Sequence, residues 1–130
     1  MVLDSSAVIA ILQREAVADR LVAAVEGDRT RLISAATVVE VSIVLLGRYG
    51  EAGEPMLDRL LRGIGAELVP IGEEQVVLAR DAALRFGRGR HPAGLNFGDC
   101  FSYALAVARG EPLLFLGDDF AKTDVAVCRW

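Results

Sequence analysis

The sequence predicts an α/β domain with a mostly parallel central sheet flanked by helices. Short apolar runs alternate along the chain with longer segments that have helical spacing, which is the pattern of such folds. The 130 residues contain no internal repeat, low-complexity segment or linker and suit a single domain spanning residues 1–130. A composition of 53% hydrophobic and 25% charged residues is sufficient for an ordinary globular core.

The first half of the chain predicts two strands and four helices. The apolar run at residues 1–4 ends in the cap-forming residues Asp4, Ser5 and Ser6, so we expect a strand that passes directly into a helix. The segment 35–46 is rich in β-branched residues, but its length and apolar spacing favour a helix that is largely buried. The predicted elements are strands at 1–4 and 31–34, helices at 6–14, 16–26 and 35–46, and a helix marked by Leu57, Leu60, Leu61 and Ile64 after a break at 47–53.

The second half predicts two helices, two strands and a short terminal strand. Pro70 lies in the apolar segment 67–71, so that strand should be short or at a sheet edge. A loop rich in glycine and arginine separates the two helices. The predicted elements are a strand at 67–71, a helix at 73–86, a loop at 87–98, a helix at 99–109, a strand at 112–116 and a further strand at 125–128.

Acidic residues interrupt or end several apolar segments. Asp4 follows the first strand, Glu40 lies within the apolar helix, Asp99 opens a later helix, and Asp118 and Asp119 follow the last long strand. A carboxylate drawn away from water must be protonated, hydrogen-bonded or neutralised. Sites in open α/β sheets form at the carboxyl ends of the strands, where converging carboxylates favour a hard divalent cation. The pattern therefore indicates a metal site.

Each acid also has a structural interpretation. Asp4 and Asp99 are suitable helix caps, and Asp118 or Asp119 beside a glycine is a common turn residue. Glu40 could reach an exposed ridge or a salt-bridge partner. The metal site is favoured because all of these acids fall where one cleft can gather them.

Four parts of the sequence resemble the PIN-domain ribonucleases, and most of all the VapC toxins of bacterial toxin–antitoxin pairs. They are residues 2–7 (VLDSSA), the internal Glu40, residues 94–106 (GLNFGDCFSYALA) and residues 113–120 (LLFLGDDF) followed by Thr123 and Asp124. The resemblance covers essentially the whole chain and keeps order and spacing. It implies a PIN-like fold and Mg²⁺- or Mn²⁺-dependent cleavage of RNA that inhibits translation and growth.

The resemblance also implies a role for each site residue. Asp4 and Asp99 match the principal metal-binding acids, and Glu40 matches the helical glutamate of the family. The fourth acid matches Asp118 or Asp119; Asp119 is favoured because it precedes a phenylalanine, and Asp124 is a peripheral candidate. Ser6 matches a hydroxyl residue that would hydrogen-bond to the first acid. A bound ion would lower the pKa of a water and stabilise charge on the scissile phosphate, so no histidine is required.

A basic segment beside Asp99 is the candidate RNA-binding surface. It contains Arg85, Arg88, Arg90 and His91 among flexible glycines, which suits contact with a phosphate backbone. The alternative is a solvated loop whose arginines serve solubility. The net charge of −4 argues against a wholly basic nucleic-acid binder but not against such a local patch.

The resemblance further implies protein partners. A toxin of this kind has an antitoxin protein of the VapB type that masks the cleft and binds promoter DNA, so contact with DNA would be indirect. It also implies a homodimer. The apolar run begins at Met1 without a basic leader, and no apolar run is long enough to span a bilayer, so we expect a cytoplasmic protein with no membrane partner.

Two other functions compete with the ribonuclease hypothesis. One is a catalytically silent binding module that keeps the PIN fold, against which the complete acid set argues. The other is a phosphotransfer protein with an acidic pocket. A HAD-type phosphatase wants a second aspartate where this chain has Ser6, and a receiver domain wants a lysine at a late strand end, whereas the only lysine, Lys122, lies in a predicted loop.

Overall fold

Four short strands and six helices make up the fold in the computed structural model, which describes residues 1–130. The strands are β1 (Val2–Leu3), β2 (Leu32–Ser34), β3 (Glu67–Val69) and β4 (Leu113–Leu114). The helices are α1 (Ser5–Leu12), α2 (Ala18–Gly27), α3 (Ala35–Tyr49), α4 (Gly53–Gly63), α5 (Glu73–Phe86) and α6 (Phe97–Arg109), with short 3₁₀ turns at Gly50–Ala52 and Phe120–Lys122.

The strands form one parallel sheet in the order β3-β2-β1-β4. This confirms the predicted α/β class, and it places β3 at an edge as Pro70 had indicated. The first strand, β1, lies in the middle, where Val2 pairs with Leu32 on one side and Leu113 on the other. The end of β1, and with it Asp4, therefore lies at the centre of the carboxyl edge of the sheet.

Helices cover the two faces of the sheet, and alternate strand residues point to each. Val2, Leu32 and Leu113 pack in a core with α5 and α6. Their neighbours in sequence, Leu3, Ile33 and Leu114, pack in a second core with the other helices. Short strands that are apolar at successive positions are expected when a parallel sheet is buried on both faces. None of the helices combines the length and apolar character needed to cross a bilayer.

Helix α3 differs from the prediction in extent and in burial. It continues to Tyr49, three residues past the predicted end, and it is not largely buried. Val39, Ile43 and Leu46 are 59%, 64% and 56% exposed, on the face away from the buried Val41 and Leu45. The prediction was wrong because an apolar helix surface can face solvent, or a partner, as well as a core.

The start of α6 and the terminal segment also differ from the prediction. Helix α6 begins at Phe97 rather than at Asp99, because the side chain of Asn96 caps it. The terminal segment 125–128 is not a strand: it forms a single parallel bridge between Val127 and Leu113. The backbone of Leu113 exchanges hydrogen bonds with Ala126 and Cys128 there, at 2.8 and 2.9 Å, and regular pairing goes no further.

Candidate active site

Three of the predicted acids line one cavity at the carboxyl edge of the sheet. The cavity has a volume of about 280 Å³, and its polar lining comes from Asp4, Ser5, Ser6, Asn96, Asp99 and Asp119. The parallel sheet brings the end of β1 beside the end of β4, and α6 points its N-terminus at the same edge. The distant segments that carry these acids therefore meet in space.

Asp4 is held rigidly and is almost inaccessible, with 2% of its surface exposed. As the N-cap of α1 it accepts hydrogen bonds through Oδ2 from the Ser6 amide at 3.0 Å and the Ser6 hydroxyl at 2.6 Å. The Ser6 hydroxyl in turn accepts a hydrogen bond from the Leu116 amide at 3.0 Å, which ties α1 to the segment after β4. The other oxygen, Oδ1 of Asp4, is buried without a partner.

Asp99 is both part of a helix cap and a partly buried charge. In a capping box, its Oδ2 accepts from the Asn96 amide at 2.8 Å while the Asp99 amide donates to Asn96 Oδ1 at 3.0 Å. Burial raises the pKa of Asp99 to about 6; the Asn96 amide opposes the shift, and the charges of Asp4, Glu40 and Asp119 add to it. The four acids are thus close enough to repel one another.

Glu40 approaches the cavity from α3, and the backbone of Gly98 leaves room for it. A Cβ atom built on Gly98 would lie 2.5 Å from Cδ of Glu40, so no side chain fits there while Glu40 keeps its position. Burial raises the pKa of Glu40; the Ser5 hydroxyl opposes the shift and the charge of Asp4 adds to it. Oε2 of Glu40 is buried and has no hydrogen-bond partner.

Gly98 and a hydroxyl pair behind it belong to the site but were not predicted from the sequence. Thr37 Oγ1 and Ser102 Oγ lie 3.3 Å apart in the interior, one helical turn from Glu40 and Asp99 respectively. The signals were a glycine in the first turn of a helix, which is an unfavourable helix former, and hydroxyl residues inside apolar helix faces. These contacts join α3 to α6 and position the two acids.

The two adjacent aspartates after β4 have different surroundings. Asp119 lines the acid cavity, and its charge contributes to the raised pKa of Asp99. Asp118 is exposed and pairs with Lys122 at 2.7 Å, an interaction that lowers the pKa of Asp118. Asp124, the peripheral candidate, binds Tyr103 and Arg85 and does not line the cavity. The structure therefore gathers Asp119 with the other acids, and neither Asp118 nor Asp124.

The basic segment is only partly available for RNA. The guanidinium of Arg85 binds the carboxylates of Asp81 and Asp124, so its positive charge is already paired within the chain. His91 Nδ1 accepts a hydrogen bond from the Ala93 amide at 3.1 Å, and its ring packs edge-on against Phe86, which suits a role in shaping the loop.

Arg88 and Arg90 are the members of the segment that remain free. Both are exposed, and neither takes part in a salt bridge. They lie on the loop that leads to Asn96 and hence to the acid cavity. Of the predicted RNA contacts, these two fit the requirement for unpaired positive charge best.

The acid set fits a hard divalent cation. Buried carboxylate oxygens without donors, as on Asp4 and Glu40, are costly unless a cation or a proton satisfies them. No three His, Cys, Asp or Glu side chains form a preassembled metal-binding group. Mg²⁺ is commonly held by one or two carboxylates and keeps several waters, so Asp4 and Asp99 would be sufficient protein ligands for it.

Comparisons with known proteins agree with this geometry. The family model for the PIN domain matches residues 1–126. Ribonuclease VapC of Mycolicibacterium smegmatis is 49% identical over 126 residues, which cover 97% of this chain and 98% of that protein. Ribonuclease VapC30 of Mycobacterium tuberculosis is 48% identical over 97% of this chain and 96% of its own length.

A solved structure shows the same fold. The crystal structure of Mycobacterium tuberculosis VapC20, described as a sarcin-ricin loop cleaving toxin, matches with a TM-score of 0.79 over 98% of each chain. At 16% sequence identity, this match supports the fold.

Proposed function

This chain belongs to the VapC ribonucleases of the PIN-domain family, and from its four converging acids we propose that it is a Mg²⁺- or Mn²⁺-dependent endoribonuclease. It would act as the toxin of a toxin–antitoxin pair, inhibiting translation and growth by cutting RNA. The observation that carries the proposal is the meeting of Asp4, Glu40, Asp99 and Asp119, two of which have buried oxygens without partners.

Asp4 and Asp99 are the proposed ligands of the ion. Both are held by hydrogen bonds through Oδ2, so Oδ1 of each remains for a ligand. Ser6 keeps the Asp4 carboxylate in one orientation by a hydrogen bond to Oδ2, as donors behind the ligands do at metal sites. When bound, a divalent ion supplies positive charge to the scissile phosphate and increases the acidity of water.

Glu40 is the proposed general base. The pKa of Glu40 is raised towards the pH at which the enzyme works. A general base is most effective when its pKa lies near that pH, because it is then ionised and still accepts a proton readily. It would take a proton from the water that attacks phosphorus, while the bond to the leaving 3′ oxygen breaks and that oxygen gains a proton from solvent. Asp119, exposed at the rim of the cavity, would orient the attacking water.

Attraction of RNA to an acidic site requires separate positive charge. Arg88 and Arg90 supply it from the loop that leads into α6, and we include them in the proposal as phosphate contacts. Such contacts position a strand without reading its sequence.

The antitoxin site is proposed for a groove between α1 and α4 whose lining contains none of the four acids. The groove has a volume of about 330 Å³; apolar side chains such as Leu12 and Leu60 line it, and Arg14 and Arg59 stand beside them. An amphipathic segment of the antitoxin with apolar and acidic residues fits this chemistry. The exposed apolar face of α3 is the proposed contact between two copies of the chain in a homodimer.

The test of the activity is cleavage of total RNA by the purified protein with Mg²⁺, with Mn²⁺ and with EDTA, followed by sequencing of the new RNA ends. Asp4→Asn and Asp99→Asn should each reduce the cleavage rate at least ~100-fold, because each removes a charged ligand oxygen while an amide can still accept the capping bond. Asp118→Asn is the matched control and should cleave normally, since Asp118 faces Lys122. Full activity in EDTA, or in either of the first two variants, would contradict the proposal.

A further inference from the structure

A second cavity adjoins the acid site and contains none of its acids. It has a volume of about 600 Å³ and lies between α5, the loop after it and the first turns of α6. Leu95, Cys100 and Ala79 form a buried apolar floor. A cavity of this size that is mostly apolar is typical of sites for small molecules.

An aromatic residue stands exposed at the edge of this cavity. Phe97 has 81% of its surface exposed, the largest value among the exposed large hydrophobic residues of the chain. The ring of Phe101, half-buried behind it, makes an edge-to-face contact at 5.0 Å between ring centroids. This contact supports the Phe97 ring in its exposed position, where one face of an aromatic ring is available for stacking.

Three arginines line the same cavity, and no carboxylate does. They are Arg80, Arg88 and Arg90. None of them takes part in a salt bridge, whereas Arg62 and Arg85 are paired with acids. A cavity with an apolar floor, an exposed aromatic ring and unpaired arginines matches a nucleotide, whose base is flat and apolar on its faces and whose phosphates are anionic.

Asn96 connects the cavity to the acid site. It lines both, and it lies in the capping box with Asp99. Its Oδ1 is already used to accept the Asp99 amide, so its NH₂ group is the part left for a ligand. That group can donate to an oxygen of a base or to a phosphate, on the path between the two cavities.

Resting on the proposed ribonuclease activity, we propose that this cavity binds an unpaired nucleobase of the RNA next to the scissile phosphate. Phe97 stacks on the base, Arg88 and Arg90 contact flanking phosphates, and Asn96 donates a hydrogen bond at the junction. The cavity would require the target to be single-stranded at this position, since a paired base cannot enter it.

Binding is tested without cleavage in the Asp4→Asn background, using a fluorescein-labelled, mixed-sequence single-stranded RNA of 12 nucleotides. Phe97→Ala should weaken binding roughly 5- to 150-fold, the range measured when a stacking aromatic is removed, and Phe97→Trp should restore it. Val107→Ala, which truncates an exposed side chain further along α6, is the control and should bind as the background protein does. Equal affinity for Phe97→Ala and the control would overturn the proposal.

Cleavage supplies an independent readout with Asp4 intact. In total RNA treated with Mg²⁺, the wild-type ends should show a base preference beside the cut that Phe97→Ala loses. Retention of the same preference in Phe97→Ala would overturn the base site while leaving the ribonuclease proposal standing. Failure of the wild-type protein to cleave would instead contradict the activity itself, so the two failures are distinguishable.

A protein partner on this cavity is the competing occupant, and mass measurement detects it. If Phe97→Ala converted a dimer into a monomer in light scattering, or abolished capture of the co-expressed antitoxin, the cavity would be a protein interface and the base site would be wrong. Unchanged assembly together with weakened RNA binding supports the base site.

Discussion

Asp99 illustrates how a residue can stabilise a helix and destabilise the site in which it lies. Its carboxylate completes a capping box, which favours α6. The same carboxylate is partly buried beside three other acids, and its pKa is raised to about 6. The charge of Asp99 therefore destabilises the metal-free protein, and a bound cation would relieve that destabilisation.

We expect Asp99→Asn to stabilise the metal-free protein above pH 7 by about 0.5–2 kcal/mol, the usual gain when a strained functional residue is replaced. The folded protein binds the Asp99 proton more tightly than the unfolded chain, whose pKa is near 3.8. The contribution of Asp99 to stability is therefore full below about pH 4 and is lost as pH rises towards 6. The difference between variant and wild type should accordingly shrink between pH 8 and pH 4.5.

Urea unfolding in EDTA at the two pH values measures this difference. With Mg²⁺ at 100 times its Kd, the wild type should gain about 2.7 kcal/mol that the variant lacks, and the order of stability should reverse. If Asp99→Asn were less stable than the wild type in EDTA at pH 8, or if their difference in unfolding free energy did not change with pH, the charge of Asp99 would not be what destabilises the metal-free protein.

Gly98 provides a second test at the scale of one atom. Gly98→Ala adds a methyl group where the Glu40 carboxylate lies, so we expect Glu40 to move and cleavage to fall about 10- to 100-fold, as for misplacement of a catalytic group by about 1 Å. The fold should survive, because the far end of a side chain can move aside. Gly47→Ala, in the last turn of α3 where an added Cβ meets no other atom, is the control and should leave activity unchanged.

The measurement is the cleavage rate of both variants and the wild type at saturating Mg²⁺, with circular dichroism to check that each protein is folded. Unimpaired cleavage by Gly98→Ala would mean that the position of Glu40 is not critical for the reaction.

Site residues could be predicted from the sequence where a residue type was unusual for its surroundings. Asp4, Glu40 and Asp99 stood out because carboxylates are rarely buried among apolar residues unless they are paired or bind a metal ion. The fate of Arg85 was not predictable, because its partner Asp124 lies 39 positions away and the pair exists only in the fold. Gly98 was missed for the same reason: its role depends on Glu40, from another helix.

At the scale of elements, the contact between α3 and α6 determines the geometry of the site. Each helix contributes one acid to the site, Glu40 from α3 and Asp99 from α6, and one hydroxyl to the buried pair of Thr37 and Ser102. Two hydroxyls inside an apolar contact are satisfied only by each other, so they specify how the two helices align. The register that pairs them also brings Glu40 against Gly98.

We expect Ser102→Ala to cost about 1–3 kcal/mol of unfolding free energy, because it leaves the Thr37 hydroxyl buried without a partner. Thr37→Val should cost a similar amount for the converse reason. The double variant should be less destabilised than the sum of the two, with a coupling energy of about 0.5–3 kcal/mol. Urea unfolding of the four proteins closes the cycle; strictly additive effects would show that the hydroxyls do not interact.

Element boundaries were predictable where capping residues or glycines marked them. The helix at 73–86 was confirmed at both ends, since a glycine stands on either side. The start of α6 was misplaced because Asp99 resembles a cap, whereas Asn96 three residues earlier performs that function. The strand predicted at 125–128 is absent, because only Val127 bridges to β4. An apolar pattern in the sequence does not indicate how many residues will pair with the neighbouring strand.

At the scale of the whole molecule, the parallel sheet explains why distant segments form one site. The central position of β1 places Asp4 at the middle of the carboxyl edge, and the neighbouring β4 brings Asp119 to it. This arrangement was predictable, because strand–helix alternation implies a parallel sheet whose strand ends share one edge. The exposure of the apolar face of α3 was not predictable, because its sequence pattern is the same whether the face packs in a core or against another molecule.

The exposed apolar face of α3 yields a prediction about assembly. Val39, Ile43 and Leu46 follow one another at spacings of four and three residues, so they form a stripe along one helix face. Stripes of this kind on two copies can pack together about a two-fold axis, which satisfies both at once. Such packing would also restrain α3, the helix that carries Glu40.

We therefore expect Ile43→Glu to convert a homodimer into a monomer, because it places two charges against each other near the symmetry axis of an apolar contact. Val107→Glu, which adds the same charge at an exposed apolar position on α6, should remain dimeric. Light scattering after gel filtration at micromolar concentration measures both masses. A wild-type monomer would contradict the homodimer itself, and a dimeric Ile43→Glu would place the interface on another surface. If α3 is restrained by its partner, the monomeric variant should also cleave RNA more slowly than the dimeric control at equal chain concentration.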